Sequence, residues 1–422
     1  MRKIIVQKLG GTSVADTEKI KNVARTVIKE KENGNDVVVV VSAMGHTTDY
    51  LVKMAKDLSP NPSGREMDML LSTGEGVSIA LLAMAIQSQG YDAVSFNAMQ
   101  IGIMTENVHS KARIVDIKTD KLKQNLKEGK IIVVAGFQGV TEDGEITTLG
   151  RGGSDTSAVA LAAALNAERC DIYTDVEGVY TTDPRVVPNA SRLDEISYEE
   201  MLELAHAGAN VLHPRSVETA KQFNVPMRVR SSFKIDNLGT LILGVEKMEI
   251  YKPVTGVAAD LSQARIVVCD VPDRPGVAGK IFSKLAKENI SVDMIIQSYA
   301  RKVSNTNDIA FTIDSADLVK TVEALKVLKA EIGATGDIQV DENIAKVSIV
   351  GAGMIDRPGV ASTMFETLAE QGINIRMIST SEIKISCLVD KDDAQQAVKA
   401  LHSVFGLESS EVAEVKGDLP NV

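Results

Sequence analysis

The chain has no tryptophan, and its aromatic residues make up only 4% of 422 positions. That scarcity weakens any reading in which nucleobases stack on aromatic side chains. Positive charge is also short. Against 57 Asp and Glu there are 46 Lys and Arg, a net charge of -11, which argues against nucleic acid or an anionic membrane as a main partner. The three cysteines, Cys170, Cys269 and Cys387, are too few and too scattered for a disulfide framework or a metal spacing, and they fit a reducing cytoplasm. The start, MRKIIVQKLGG, enters a strand at once and shows no signal-peptide h-region. No apolar run of ~18 residues stands out, so no membrane span is expected.

What remains is an ordinary globular composition, 44% hydrophobic and 24% charged, long enough for two or three domains. Strand and helix patterns alternate to about residue 230. Lys3–Gln7 reads as a strand, and Ile20, Val23, Ala24, Val27 and Ile28 give the next segment one apolar helical face. Asp36–Val41 (DVVVVV) is apolar on both faces, as a parallel strand covered by helices would be. An α/β domain follows, with ligands expected at the carboxyl ends of its strands.

Polar, glycine-containing segments sit at those ends. Lys8-Leu9-Gly10-Gly11-Thr12-Ser13 sets a lysine beside two glycines, a combination that suits phosphate oxygens, but its spacing is neither Walker A nor the Rossmann fingerprint. Ser42–Asp49 contains Thr47, and Glu75 opens the apolar helix Val77–Ala85, where it is either a dipole partner or an ammonium ligand. Thr147–Ala158 (TTLGRGGSDTSA) reads as a turn from the strand Ile131–Gln138 into a helix. Free N–H groups there would face an anion, the Arg151 fork suits a carboxylate or phosphate, and Asp155 could orient a lysine. Capping by Ser154 or Asp155 explains the same letters equally well. The loop DIYTDVEGVYTTDPRV carries Asp175, Tyr180, Asp183 and Arg185, more specific polarity than a turn needs. His206 and His213 lack a third partner in view and read as structural rather than as zinc ligands.

KLGGTS, VSAMGHTTD, STGE, TTLGRGGSDTSA, YTDVEGVYTTDPRV, LHPRSVE and VPMRVRSSF, in this order, resemble the aspartate kinases. The resemblance implies an amino-acid kinase fold, an αβα sandwich, over residues 1–245. It also implies the reaction ATP + L-aspartate to 4-phospho-L-aspartate + ADP. Catalytic roles fall to Lys8, which steadies the transferring phosphoryl group, and Asp155, which holds the catalytic lysine. Aspartate would be held by Thr47, Glu75, Arg151 and Ser154. ATP would be held by Lys8, Gly10, Gly11, Thr174, Asp175, Tyr180, Asp183, Arg185 and Asn210. Mg²⁺ is expected to arrive with ATP, with no metal ligand from the protein. Two positions depart from the family pattern: Leu9 replaces a phenylalanine, and Asn210 replaces a phosphate-contacting lysine. The nearby cation Arg215 is a candidate to compensate for the second.

A repeat follows. ARIVVCDVPDRPGVAGKIF from Ala264 pairs with AKVSIVGAGMIDRPGVASTMF from Ala345, a period of about 80 residues that suits two small domains, at 262–341 and 343–417. Each unit reads strand, helix, strand, strand, helix, a ferredoxin-like α+β order. Because VTGVAADLSQARIVV resembles DIQVDENIAKVSI, strand 254–260 is expected to join the second unit's sheet, making the first unit an insertion. The units resemble ACT domains, which implies amino-acid effectors. Effector contacts would be Asp273, Arg274, Gly276, Val277, Ala278 and Gln297 in the first unit, and Asn374 and Ile375 in the second. The resemblance further implies feedback inhibition by lysine, threonine or both, a homodimer or larger assembly through these units, and the first step of lysine, threonine, methionine and diaminopimelate biosynthesis. Met248 is a possible start for a separate regulatory chain. A kinase for another amino acid and an amino-acid sensor with weak catalysis, the latter suggested by Asn210, are the competing readings.

Overall fold

The computed structural model describes residues 2–209, 211–234, 236–244, 252–298, 305–355 and 357–409; Asn210 and Met248 lie outside them. The first body is built on an eight-stranded sheet. Its spatial order is Glu195–Ser197, Thr240–Leu243, Met227–Ser231, Arg169–Thr174, Ile4–Leu9, Asp36–Val41, Ile131–Ala135, Ala93–Phe96. Neighbours are parallel except Met227–Ser231 with Thr240–Leu243.

The run of valines from Val37 to Val41 is fully buried because strand side chains alternate and both faces are roofed. Val37, Val39 and Val41 pack under the helices Thr17–Glu32 and Thr73–Gln87, with Val23, Val27, Leu82 and Ile86. Val38 and Val40 pack under Gly153–Leu165 and Pro214–Phe223, with Val159, Leu161 and Val217. A one-residue slip of this strand would exchange the two sets.

Two expectations need correcting. The strand before TTLGRGG is not Ile131–Gln138. The sheet strand stops at Ala135, Phe137 turns with φ 68°, and Gln138–Val140 pairs with Ile146–Thr148 in a separate four-stranded sheet. Gly136 marks the bend, since a Cβ there would fall 2.8 Å from the Ser154 side chain. The second correction concerns hydropathy. Gly64–Gln87 is long and apolar enough to cross a membrane by length and composition, at mean hydropathy 1.7. Here Ile79, Leu82, Ala83 and Ile86 pack into the core, and the stretch is broken at Ser72 between two helices. Its apolarity roofs the sheet.

The repeats form two further four-stranded sheets. The first contains Gln263–Pro272, Ile295–Gln297, Thr306–Asp314 and Ile338–Asp341. In the second, Gly256–Asp260 pairs antiparallel with Ile344–Val350, so the first unit is inserted between two strands of the second. The helices Val277–Lys287 and Val360–Glu370 both start after a glycine in the left-handed region, Gly276 at φ 93° and Gly359 at φ 104°. This is the structural counterpart of the repeated PGVA.

The second unit is fastened to the first body. Glu200, buried in the helix Tyr198–His206, accepts from Thr255 Oγ1 at 2.6 Å and from Ala352 N at 2.8 Å. Glu203 pairs with Lys384 at 2.7 Å. Thr181 Oγ1 lies 2.8 Å from His402 Nε2 and 3.1 Å from Leu407 O. If the hydroxyl proton goes to Leu407, Nε2–H must be the donor to Thr181, which leaves His402 Nδ1 as a buried acceptor without a partner.

Burial lowers the His402 pKa below its usual value. The unfolded chain therefore binds this proton more readily than the folded one, so stability is fully present above pH ~6.5 and is lost as pH falls. His402→Gln should flatten unfolding free energy against pH below about 6.5 relative to the parent chain, with a slope difference of up to about 1.4 kcal/mol per pH unit. Parallel curves would show that His402 does not titrate on unfolding.

Candidate functional site

The strands Ile4–Leu9, Asp36–Val41 and Arg169–Thr174 run parallel side by side, so their carboxyl ends lie at one edge of the sheet. Lys8 lies within the strand Ile4–Leu9 rather than in the loop after it, in register with Val40 and Ile172 on either side. Ladder hydrogen bonds thus fix its backbone. Its Nζ reaches Asp155 Oδ1 at 2.6 Å, a close ion pair between two largely buried side chains. Asp155 sits in the first turn of Gly153–Leu165, where the helix dipole favours an acid.

Gly11 brings two loops into backbone contact. A Cβ there would fall 2.7 Å from Ala43 O, and Gly45 N donates to Gly11 O at 2.9 Å. A Cβ on Gly10 would lie 3.5 Å from Lys8 Nζ. Behind these loops stands Glu75, only 2% exposed. Its Oε1 accepts from Ala43 N at 3.1 Å, while Oε2 is buried without a partner among the described residues. Burial pushes its pKa up to about 7. Thr47 donates its hydroxyl proton to Met44 O at 2.6 Å, which leaves its oxygen free to accept. Ser42 donates to the buried Ser154 Oγ at 3.0 Å. Arg151 stands exposed at the turn beside them and has no ion pair among the described residues.

The proposed nucleotide residues divide. Thr174 ends its strand, donates to Asp175 at 2.9 Å and accepts at its carbonyl from Ser232 N at 2.8 Å. Ser232 Oγ is 2.7 Å from Ser13 Oγ, so this strand end is tied to the turn that follows Lys8. Ser13 and Ser232 lie inside the recognised motifs, yet their pairing has no local signature. Farther along the loop, Asp183 and Arg185 pair with each other at 2.7 Å. Tyr180 packs against the core of the second repeat instead of joining the Lys8 group.

Arg215 does not act as a spare cation. Its guanidinium donates to Leu149 O at 2.8 Å and Ala112 O at 2.6 Å, and burial lowers its pKa.

Among the described residues no group of three or more His, Cys, Asp and Glu gathers as a cation site.

A second cleft, of about 470 Å³, opens in the first repeat. Asp273, Arg274, Gly276, Val277, Ala278 and Gln297 all line it. So does Asn307, which sequence reasoning missed because it lies on another strand. Asn307 Nδ2 donates to Asp273 at 3.1 Å, and its Oδ1 is buried without a partner. Asn374 and Ile375 do not line this cleft: Asn374 is exposed, and Ile375 packs on the second unit's own core.

Residues 3–231 match the amino acid kinase family, and residues 265–333 and 347–405 each match an ACT domain. The chain is 54% identical to an aspartokinase of Geobacillus stearothermophilus, covering 98% of this chain and 99% of that protein. It is 53% identical to aspartokinase 2 of Bacillus subtilis, over 96% of this chain and 98% of that one. The chain belongs to the aspartokinase family. It is thereby an ATP-dependent phosphotransferase with a carboxyl acceptor. Among solved structures, E. coli aspartokinase III in complex with aspartate and ADP (R-state) is 30% identical, with a TM-score of 0.81 and coverage of 95% and 99%. The same enzyme with lysine and aspartate (T-state) gives 0.74, over 96% and 99%.

Proposed function

We propose that the chain transfers the γ-phosphoryl group of ATP to the side-chain carboxylate of L-aspartate, giving 4-phospho-L-aspartate and ADP. The observation that supports this reading is the Lys8–Asp155 ion pair between a strand end and a helix start, together with the buried Glu75, which is bonded to Ala43 on the loop that meets Gly11. Glu75 and Thr47 take the substrate ammonium, and Arg151 and Ser154 its carboxylate end. Thr174, Asp175 and the loop through Arg185 hold the nucleotide, with Gly10, Gly11 and Asn210 on the phosphates.

The attacking oxygen is already ionised, so no general base is required. A new oxygen–phosphorus bond forms as the γ-phosphorus leaves the β-phosphate oxygen. Lys8 and backbone N–H groups offset the charge on the transferring group. Mg²⁺ bound through the nucleotide would neutralise phosphate charge, and no protein side chain needs to ligate it. Asp155 keeps Lys8 on the reacting phosphate.

The cleft at Asp273–Ala278 is read as an effector site for lysine, threonine or both. The lysine-bound relative supports that class of ligand. An exposed edge strand, Ile295–Gln297, offers a surface for a second copy, in keeping with a homodimer through the ACT units. The cytoplasmic first step of lysine, threonine and methionine synthesis is the matching role.

Initial rates of ADP release with MgATP and aspartate, with lysine and threonine added singly and together, test the whole reading. Aspartate-dependent turnover that either amino acid lowers is expected. Equal turnover with glutamate or acetylglutamate would assign another amino-acid kinase, and no turnover would leave a sensor.

A further inference from the structure

Arg151 is the one residue of the aspartate group standing exposed in a turn, yet a forked contact to a carboxylate demands a fixed approach. The backbone leading to it is unusually constrained. Thr148 Oγ1 donates at 2.6 Å to Asp68, a carboxylate with no exposure. Asp68 also accepts from Ser110 N at 2.9 Å and pairs with His109 Nδ1 at 2.8 Å. Thr148 O accepts from Ala112 N at 3.0 Å, so the 109–112 and 148–149 segments lie side by side. Across them runs the Arg215 fork, on Leu149 O and Ala112 O. Leu149 N donates to Phe137 O at 2.9 Å, and Gly150 O accepts from Gly153 N at 3.0 Å.

The turn itself has no slack. Gly150 and Gly152 have φ of 77° and 66°, and a Cβ on Gly152 would fall 2.2 Å from the His213 ring. Arg151 is therefore the first side chain beyond a clamped segment.

We infer that Arg215 is a positioning residue for Arg151, bracing the Thr148–Gly150 backbone opposite Asp68 so that the Arg151 fork meets the substrate carboxylate. The inference rests on the reading of Arg151 as a carboxylate ligand. Arg suits this place because a planar guanidinium spans two carbonyls at once, whereas an ammonium is a single point donor. Arg215 is the second residue of the helix Pro214–Phe223, and His213 caps that helix by accepting from Arg215 N at 3.3 Å. The brace thus ties the substrate turn to the helix that follows the segment containing Asn210.

Displacing a binding group by ~1 Å can cost on the order of 10²-fold. The test is a double-mutant cycle in the full chain, with initial rates read against aspartate and against MgATP. Arg215→Met is expected to raise KM for aspartate by about 30-fold, with KM for ATP changed by less than about 3-fold. Arg215→Lys should give a smaller rise, about 5-fold, because one carbonyl keeps a donor. In an Arg151→Ala background, either change should add less than about 2-fold, since nothing remains to be positioned.

A full multiplicative effect in that background, or a rise confined to KM for ATP, would overturn the proposal. If Arg151→Ala alone leaves KM for aspartate unchanged, the reading of Arg151 fails first and takes the brace with it. Should Arg215→Met not fold, the Arg215→Lys arm of the same cycle decides.

Discussion

Lys8→Met should lower kcat by roughly 10³-fold while KM for aspartate moves less than about 3-fold. The side chain is held by a strand ladder on both sides and ends 2.6 Å from Asp155, so its charge is preorganised. A donor aimed at charge that grows in the transition state acts mainly on kcat, and losing one such donor commonly costs about 10²–10³-fold. Here the loss is compounded, because Asp155 would be left as an unbalanced carboxylate facing phosphates. Asp155→Asn should therefore be milder, about 10–10²-fold, since Lys8 keeps its charge and loses only its aim. Adding Asp155→Asn to Lys8→Met should recover part of the activity. Single-turnover rates at saturating MgATP and aspartate measure all three. A kcat within about tenfold of the parent for Lys8→Met would remove Lys8 from the chemical step.

How far the letters carried can be judged from particular residues. The five consecutive valines of Val37–Val41 announced a strand buried on both faces, and alternate valines do enter opposite cores. Lys8, Gly10, Gly11, Thr47, Glu75 and Asp155 stand out in the sequence because their motifs follow strands, and a parallel sheet brings strand ends to one edge. Five residues of the first DRPGVA, Asp273, Arg274, Gly276, Val277 and Ala278, line one cleft together because the turn and helix start are contiguous in sequence.

Failures came where position depends on long-range contact. Arg215 looked like a free cation, but two backbone carbonyls from distant segments occupy it. Tyr180 reads as part of a polar loop, and its packing on the apolar surface of the second ACT unit has no signal in the neighbouring sequence. Asn307 joins the cleft of the first repeat across a sheet, and strand pairing of that kind leaves no mark in local sequence. The apolar length of Gly64–Gln87 went unremarked in the sequence, where a helix roofing a sheet and one crossing a bilayer share a composition.

Glu75 should show opposite signs for function and stability. Its carboxyl is 2% exposed, and one oxygen has no partner among the described residues, so burial disfavours ionisation and the pKa rises to about 7. Relative to 4.5 that is roughly 2.5 units, on the order of 3 kcal/mol against folding once the group is ionised. The sign follows from proton counts. Between pH 4.5 and about 7 the folded chain binds this proton more than the unfolded chain does, so stability falls as pH rises through that window. Glu75→Gln keeps the acceptor for Ala43 N and removes the charge, but it buries an unpartnered NH₂, at about 1–3 kcal/mol. The variant should therefore melt a few degrees higher than the parent at pH 8, by about 2–4 °C per kcal/mol, and lose that advantage at pH 5.5. Aspartate binding should move the other way. A substrate ammonium needs the ionised carboxylate, so the variant's KM for aspartate should rise about 10²-fold, and the parent's should rise about tenfold per pH unit below 7. Melting curves at the two pH values and KM against pH decide together. A variant that is less stable by the same margin at both pH values, or one that keeps its KM, would show that Glu75 is a buried structural acid and that the ammonium is held elsewhere.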